Sequence, residues 1–503
     1  MKIAYFLDDT KQIGGSGNLL LQQAKLMSDI HETIVVLPLN KHGDYNREYA
    51  RRCRSYAIPC VCIRYGTAFS FADIDYSESM KSVAVIEEFA RSECIDFFHS
   101  VQLNTAVEYV SRKLKIPHLM NIYQLDESEF KTCPADIYAG FHMCDSQMYS
   151  ALWGRMPGLE SRCVRPVALC ENIVRKSGYA KDKIKILMLG IVCERKNQMA
   201  AIHAIEKYCG SSMPELHIAG DIWLPYAEKC ISYVREHGLE KNIVFHGFVS
   251  DIRPLLEECD CLLCSSKDES FPSSMVEALS YDLTIISTPV AGVPELFRDK
   301  ENSFISRDYS AESIGQSIAE CMEYHANGKI REIHENAADT WETCFDRNLV
   351  RRQIDSYYQY ILSTGQFKSL HAFLKIADYV EPVEKLLKDV NADGEEWIYN
   401  RGLYYMFLRD KMPEGEIYIW GAGKLGKLTY RILEKVFPDL KVMAFIDTYK
   451  EGSYCGVPVM RLRDMPIRKD AYYCISFAED REAAFRYLRD KGLACSTQVW
   501  YMP

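Results

Sequence analysis

The chain has 503 residues, with 60 Lys+Arg against 70 Asp+Glu and a formal net charge of −10. At about 150 residues per domain the length predicts roughly three domains, and 48% hydrophobic with 26% charged residues is the balance of a globular protein with sizeable cores. The acidic excess excludes nucleic-acid binding through a broad basic field, and the composition excludes disorder, collagen and coiled coil.

Strand-like and helix-like stretches alternate from the start. KIAYFLD (2–8) reads as a strand, followed by a glycine turn and a helix through Leu26. ETIVVLPL (32–39), IDFFHSV (95–101) and HLMNIY (118–123) continue the series, with helical stretches between. After a link near 165–180 a second series begins: IKILMLG (184–190), ELHIAGD (215–221), NIVFHGF (242–248), CDCLLCSS (259–266) and LTIISTP (283–289). Such alternation predicts parallel sheets covered on both faces. RNLVRRQIDSYYQYILS reads as a helix leaving the second domain, and 366–412 as mainly helical. A third βα pattern starts at EIYIWGAGKLGKLTYRIL (416–433) and continues through KVMAFID (441–447) and AYYCISF (471–477).

Nineteen cysteines in a long chain do not make the disulfide framework of a small secreted domain, and they point to a reducing compartment. Cys259, Cys261 and Cys264 lie close together, but ECDCLLCSS reads as a buried strand without zinc-finger pairing, so no metal is expected. MKIAYFLDD reads as neither signal peptide nor anchor, and no run of about 20 apolar residues predicts a membrane span. The expected location is the cytoplasm, including the inner face of the membrane.

Ligands of open parallel sheets bind at the carboxyl ends of strands. Four such loops carry informative residues. In DDTKQIGGSGNLL, Gly14, Gly15 and Gly17 precede a helix, either as an anion-binding turn or as plain flexible chain. In LGIVCERKNQ, Arg195 and Lys196 stand at a helix start, where cations oppose the dipole; a phosphate ligand or simple solvation accounts for them. In SSKDESFPSSMVEAL, Glu269 and Glu277 bracket a loop and helix, and Ser274 with Glu277 has capping-box spacing. The fourth loop, Pro289 to Glu295, places Pro294 for a first helical turn.

In that order, GIVCERKNQ, ELHIAGD, NIVFHGFVSD, SSKDESFPSSMVEAL and STPVAGVPEL resemble the donor domain of the family-four retaining glycosyltransferases, also known as glycosyl transferases group 1. GGSGN, DFFHSV and the HMCDS segment around Asp145 and Ser146 resemble the family's acceptor domain more loosely. The resemblance implies an α/β GT-B fold: two doubly wound Rossmann-like domains at 1–172 (acceptor side) and 173–345 (donor side). A helical return and connector (346–412) and a small Rossmann-like domain (413–503) complete the expected organisation. It implies a nucleoside-diphosphate sugar donor, UDP-sugar first, a glycan or lipid-linked acceptor, and no required cofactor. Lys196, with Arg195 the weaker candidate, would contact the diphosphate. Glu269 would hold sugar hydroxyls, the backbone of Phe271, Pro272, Ser273 and Ser274 would reach sugar and phosphate, and Glu277 would bind the ribose. Gly15 would approach the phosphates from the facing domain.

Two positions depart from the family pattern. Ile191 stands where an Arg often follows the strand-ending Gly, and Tyr123 where a His is common. His99 or His118 could replace that His; otherwise the leaving phosphate takes the acceptor proton, with catalysis by positioning and by stabilisation of leaving-group charge. Glu269, Lys196 and Tyr123 are the catalytic candidates.

In the third series Gly421, Gly423 and Gly426 with Asp447 meet the dinucleotide fingerprint and resemble Rossmann-like modules attached to bacterial polysaccharide enzymes. The segment supplies about half of a dinucleotide fold, so a packing or docking module is preferred to NAD binding. Two further classes stay open: a nucleotide-sugar oxidoreductase or epimerase using that motif, and a silent donor-binding scaffold. Basic runs ARRCR (50–54) and SRKLK (111–115) read as solvated helix faces or as contacts to anionic lipid.

Overall fold

A computed structural model describes residues 1–8, 14–40, 43–68, 76–123, 139–155, 158–170, 172–176, 183–209, 213–370, 414–437, 439–476, 481–493 and 499–501. Three sheets carry the chain. The first contains β1 (Lys2–Phe6), β2 (Glu32–Leu39), β3 (Cys60–Arg64), β4 (Phe97–Val101), β5 (His118–Asn121), β6 (Phe141–Cys144) and β7 (Glu160–Cys163). These seven strands run parallel in the order β3-β2-β1-β4-β5-β6-β7. Helices cover both faces, so central strands bury every side chain: Ile3, Ala4, Tyr5 and Phe6 are all inaccessible.

The second sheet repeats the winding with β8 (Lys185–Leu189), β9 (Glu215–Ala219), β10 (Ile243–Gly247), β11 (Cys261–Cys264), β12 (Thr284–Ser287) and β13 (Phe304–Ile305). Its order is β10-β9-β8-β11-β12-β13. Strand order reverses between β1 and β4 in one sheet and between β8 and β11 in the other, and a crevice opens at each reversal. β1 therefore ends at the glycine loop, and β8 and β11 end at the loops carrying Lys196 and Glu269.

The helix Arg347–Thr364 leaves the second domain and returns to the first sheet. Its buried Val350, Ile354, Tyr357, Tyr358 and Ile361 join the core formed by β1, β2 and β4. Tyr358 donates or accepts at Tyr5 Oη (2.9 Å) and at His99 Nδ1 (2.6 Å). The stretch expected to be helical from 366 has no helix in 366–370, and 371–412 lies outside the described residues.

The third sheet contains β14 (Gly415–Trp420), β15 (Leu440–Asp447), β16 (Gly452–Tyr454), β17 (Val457–Arg461), β18 (Tyr472–Ile475) and β19 (Val499–Tyr501). Its order is β16-β17-β15-β14-β18-β19, with β16 antiparallel to β17. β15 reaches β17 through β16 rather than through a crossover helix, which makes the sheet mixed. Several strands escaped the sequence reading. β3 and β7 lie beside or at a sheet edge with half-exposed residues, β6 is four residues long, and β13 is two, so none offers a sustained apolar run.

Candidate functional site

The glycine loop meets the opposite domain. Gly14 caps the helix Gly15–Met27, and a Cβ placed on Gly15 would stand 4.0 Å from Ser273 Oγ. Gly17 is held for packing: a Cβ there would lie 1.8 Å from Tyr49 Oη and 2.6 Å from Asp8 Oδ1. Asp8 is fully buried and accepts from Ser16 Oγ and Tyr49 Oη at 2.7 Å each.

Across the crevice, Gly190 ends β8 with φ +128, and a Cβ there would press on Lys196 Cε at 3.3 Å. Gly220 is equally constrained, since its Cβ would overlap the Gly190 carbonyl at 1.9 Å. Small residues thus let the Lys196 stem lie flat along the strand end. Arg195 and Lys196 occupy a short 3-10 turn, Glu194–Lys196. Both cations converge on one carboxylate: Lys196 Nζ and Arg195 Nη1 (2.9 Å) pair with Glu269 Oε1, to which Ser266 Oγ donates at 3.0 Å. Burial alone would raise the Glu269 carboxyl, but Lys196 and then Arg195 outweigh it and hold it below its ordinary value. Arg195 and Lys196 thus stand side by side inside an acidic protein, two cations that a polyanion can engage.

The helix after Glu269 spans Ser273–Leu279 and starts from Pro272, without a side-chain cap. Ser274 lies inside it, so the capping-box reading of Ser274 and Glu277 does not hold. Burial raises the Glu277 carboxyl, against the opposing influence of Arg52 and then Gln22, both from the first domain. The Phe271 ring is buried against Phe297 and Phe345, which leaves its backbone rather than its side chain for ligand contact.

Further residues join the two domains, and sequence reasoning gave them no role together. Asp145 accepts from Ser270 Oγ, and Ser146 Oγ lies 3.2 Å from the same hydroxyl. Glu295 accepts from the amides of Gln147 and Met148, each at 2.9 Å, and from Arg165 at 2.6 Å. Gly292 tolerates no side chain, since a Cβ would meet Ser146 Cβ at 2.7 Å. The sequence signal was the resemblance of the HMCDS and GVPEL segments to the two domains of the family.

Both histidine substitutes are structural. His99 binds Tyr358 and Asn121, and burial lowers its pKa to about 3. His118 lies between Glu108 (2.7 Å) and Ser100 (2.8 Å), both buried. Asn121 Nδ2 donates to Tyr123 Oη at 2.8 Å, and burial, then Asp145, raises that phenol well above its ordinary value. A protonated phenol can donate a hydrogen bond but is no base.

Within the basic runs, Arg112 is buried and paired with Glu108, so it does not face outward, while the exposed Lys113 pairs with Glu87. Arg51 and Arg52 pair with Glu48. Among the described residues no helix is long and apolar enough to cross a membrane.

The third sheet reproduces the fingerprint's backbone logic. Gly421 has φ +123, and a Cβ on Gly426 would lie 1.8 Å from the Gly421 carbonyl. Asp447 accepts from the amides of Ala422, Tyr449 and Lys450 at 2.8–3.1 Å, so its carboxylate closes the loop on itself.

Residues 171–340 match the sequence model of the glycosyl transferases group 1. The chain is 23% identical over 217 residues to the putative glycosyltransferase EpsD of Bacillus subtilis, covering 42% of this chain and 56% of that protein. It is 23% identical over 249 residues to the lipopolysaccharide 1,6-galactosyltransferase of Salmonella typhimurium, covering 46% and 67%. The chain therefore spans between about half and two thirds of the length of these curated relatives. Among solved structures, Anabaena Alr3699/HepE in complex with UDP-glucose superposes with a TM-score of 0.59 at 18% identity, over 72% of this chain and 100% of that one. The architecture is thus the GT-B fold of two Rossmann-like domains, extended by a third, mixed sheet.

Proposed function

We propose that the chain is a retaining glycosyltransferase that moves a sugar from a nucleoside diphosphate, UDP-sugar first, onto a glycan or lipid-linked acceptor in polysaccharide or glycoconjugate assembly. The observation that carries this reading is the convergence of Lys196 and Arg195 on Glu269. Those cations take the donor diphosphate, which frees Glu269 to accept from sugar hydroxyls. Glu277 accepts from the ribose, while the backbone of Phe271 to Ser274 lines the sugar and phosphate. With His99 and His118 locked in buried networks and Tyr123 protonated, the leaving phosphate takes the acceptor proton. Charge stabilisation on that phosphate then supplies most of the catalysis. The domain boundaries implied by this reading are 1–172, 173–345, 346–412 and 413–503.

A thermal-shift panel of nucleotides and nucleotide-sugars tests it without an acceptor. A matching donor at about 100 times its Kd raises stability by about 2.7 kcal/mol. Lys196→Ala and Glu277→Ala should each abolish the shift. No response to any UDP- or GDP-sugar, or an undiminished response in both variants, removes the proposal.

A further inference from the structure

At the opposite, amino-terminal end of the second sheet, three potential metal ligands share one buried volume. Cys261 opens β11, while Cys321 and His325 lie four residues apart on one face of the helix Ala311–Asn327. All three are buried, and their ligand atoms lie within 4.8 Å of one another. Cys261 Sγ is 3.7 Å from Cys321 Sγ and 3.7 Å from His325 Nε2. Thr284 opens β12, pairs in register with Cys261, and places Oγ1 3.5 Å from His325 Nε2.

We infer that Cys261, Cys321 and His325, with the Thr284 hydroxyl at the fourth corner, form a structural Zn²⁺ site. Zinc–sulfur bonds of about 2.3 Å and zinc–nitrogen bonds of about 2.0 Å set tetrahedral edges of about 3.8 Å for S···S and about 3.5 Å for S···N. The two measured thiol separations are close to those edges. Charge agrees as well: two thiolates neutralise one Zn²⁺, so the filled site places no net charge in the core. The Thr284 hydroxyl is oriented from behind. Asp282 Oδ1 accepts from His334 Nδ1 at 3.1 Å, which leaves Nε2 to accept the Thr284 proton at 3.0 Å and turns the Thr284 lone pairs inward.

ECDCLLCSS by itself has no zinc-finger spacing, because Cys259 and Cys264 take no part and the other two strong ligands come from a helix some 60 residues downstream. The site would pin the end of that helix to the sheet, far from the donor loops at the strands' carboxyl ends.

The test is zinc content of the full chain, purified through a tag that binds no metal and washed with a weak chelator. About one zinc per chain is expected in the wild type, and under about a tenth in Cys321→Ser, whereas Cys259→Ser keeps its metal. Should Cys321→Ser fail to fold, the wild type itself decides. Stripping by a strong chelator should lower Tm, and Co²⁺ added back should give tetrahedral d–d bands with thiolate charge transfer. Wild type without zinc, copper in its place, a Cys261–Cys321 disulfide, or zinc retained in both Cys321→Ser and His325→Ala would overturn the assignment.

Discussion

Glu269 is the side chain on which the site turns. Without ligand it pairs with two cations, so replacing it leaves them facing each other in a partly desolvated loop. Glu269→Gln should therefore lower Tm without ligand, keep the stabilising shift with UDP, and cut turnover of the sugar donor by about 100-fold. Equal loss of nucleotide binding and turnover would instead assign Glu269 to holding the loop. Asp145 gives a pH test. Burial raises its carboxyl from 3.8 to about 7, against the Ser270 hydroxyl bond. The folded value lies above the unfolded one, so the associated stability is complete below about 3.8 and is lost as pH rises through about 7. Asp145→Asn stays neutral throughout, so its Tm should gain on the wild type across that window. Parallel Tm curves would reject the argument. The types of these residues were legible from motif order, but their pairing was not. The spacing of ERK and DES says nothing about two cations sharing one carboxylate, nor about Glu277 turning to Gln22 and Arg52 instead of capping its own helix.

At the scale of elements, the two glycines of the first loop separate packing from ligand approach. Gly17→Ala drives a methyl into Tyr49 and Asp8 and should cost about 1–3 kcal/mol, read by denaturant unfolding. Gly15→Ala meets only Ser273 Oγ at contact distance, so stability should stay within about 0.5 kcal/mol of the wild type. Gly15→Leu fills the gap between the domains and should weaken donor binding while Tm holds. If Gly15→Leu binds nucleotide normally, the loop does not face the donor. Spacing alone marks both glycines alike and only the resemblance singles out Gly15; the packing role of Gly17 depends on helix Arg47–Ser55, which brings Tyr49 over it. In the third sheet Gly421 and Gly426 have the backbone geometry their spacing predicted, yet Asp447 binds its own loop amides, a use the motif does not disclose.

For the whole molecule, helix Arg347–Thr364 decides how the two sheets are tied. It follows the second sheet in the chain and packs on the first, where Tyr358 joins Tyr5 to His99 inside the core. Tyr358→Phe keeps the ring but strips both hydrogen bonds, leaving His99 Nδ1 without that partner. The expected loss is about 1–3 kcal/mol in unfolding free energy, and unchanged stability would show the network to be dispensable. By itself the sequence determined the alternating architecture, the three βα series and the order of the donor loops. Period and motif order are local properties, and buried parallel strands need continuous apolar runs. Tertiary structure alone decided which domain the return helix covers, that His99 and His118 are internal ties, that Lys196 and Arg195 share Glu269, and that Cys261 meets Cys321 and His325. Each of these depends on contacts between residues distant in sequence, and only the winding order of the sheets and the crossing of the chain between them bring those residues together.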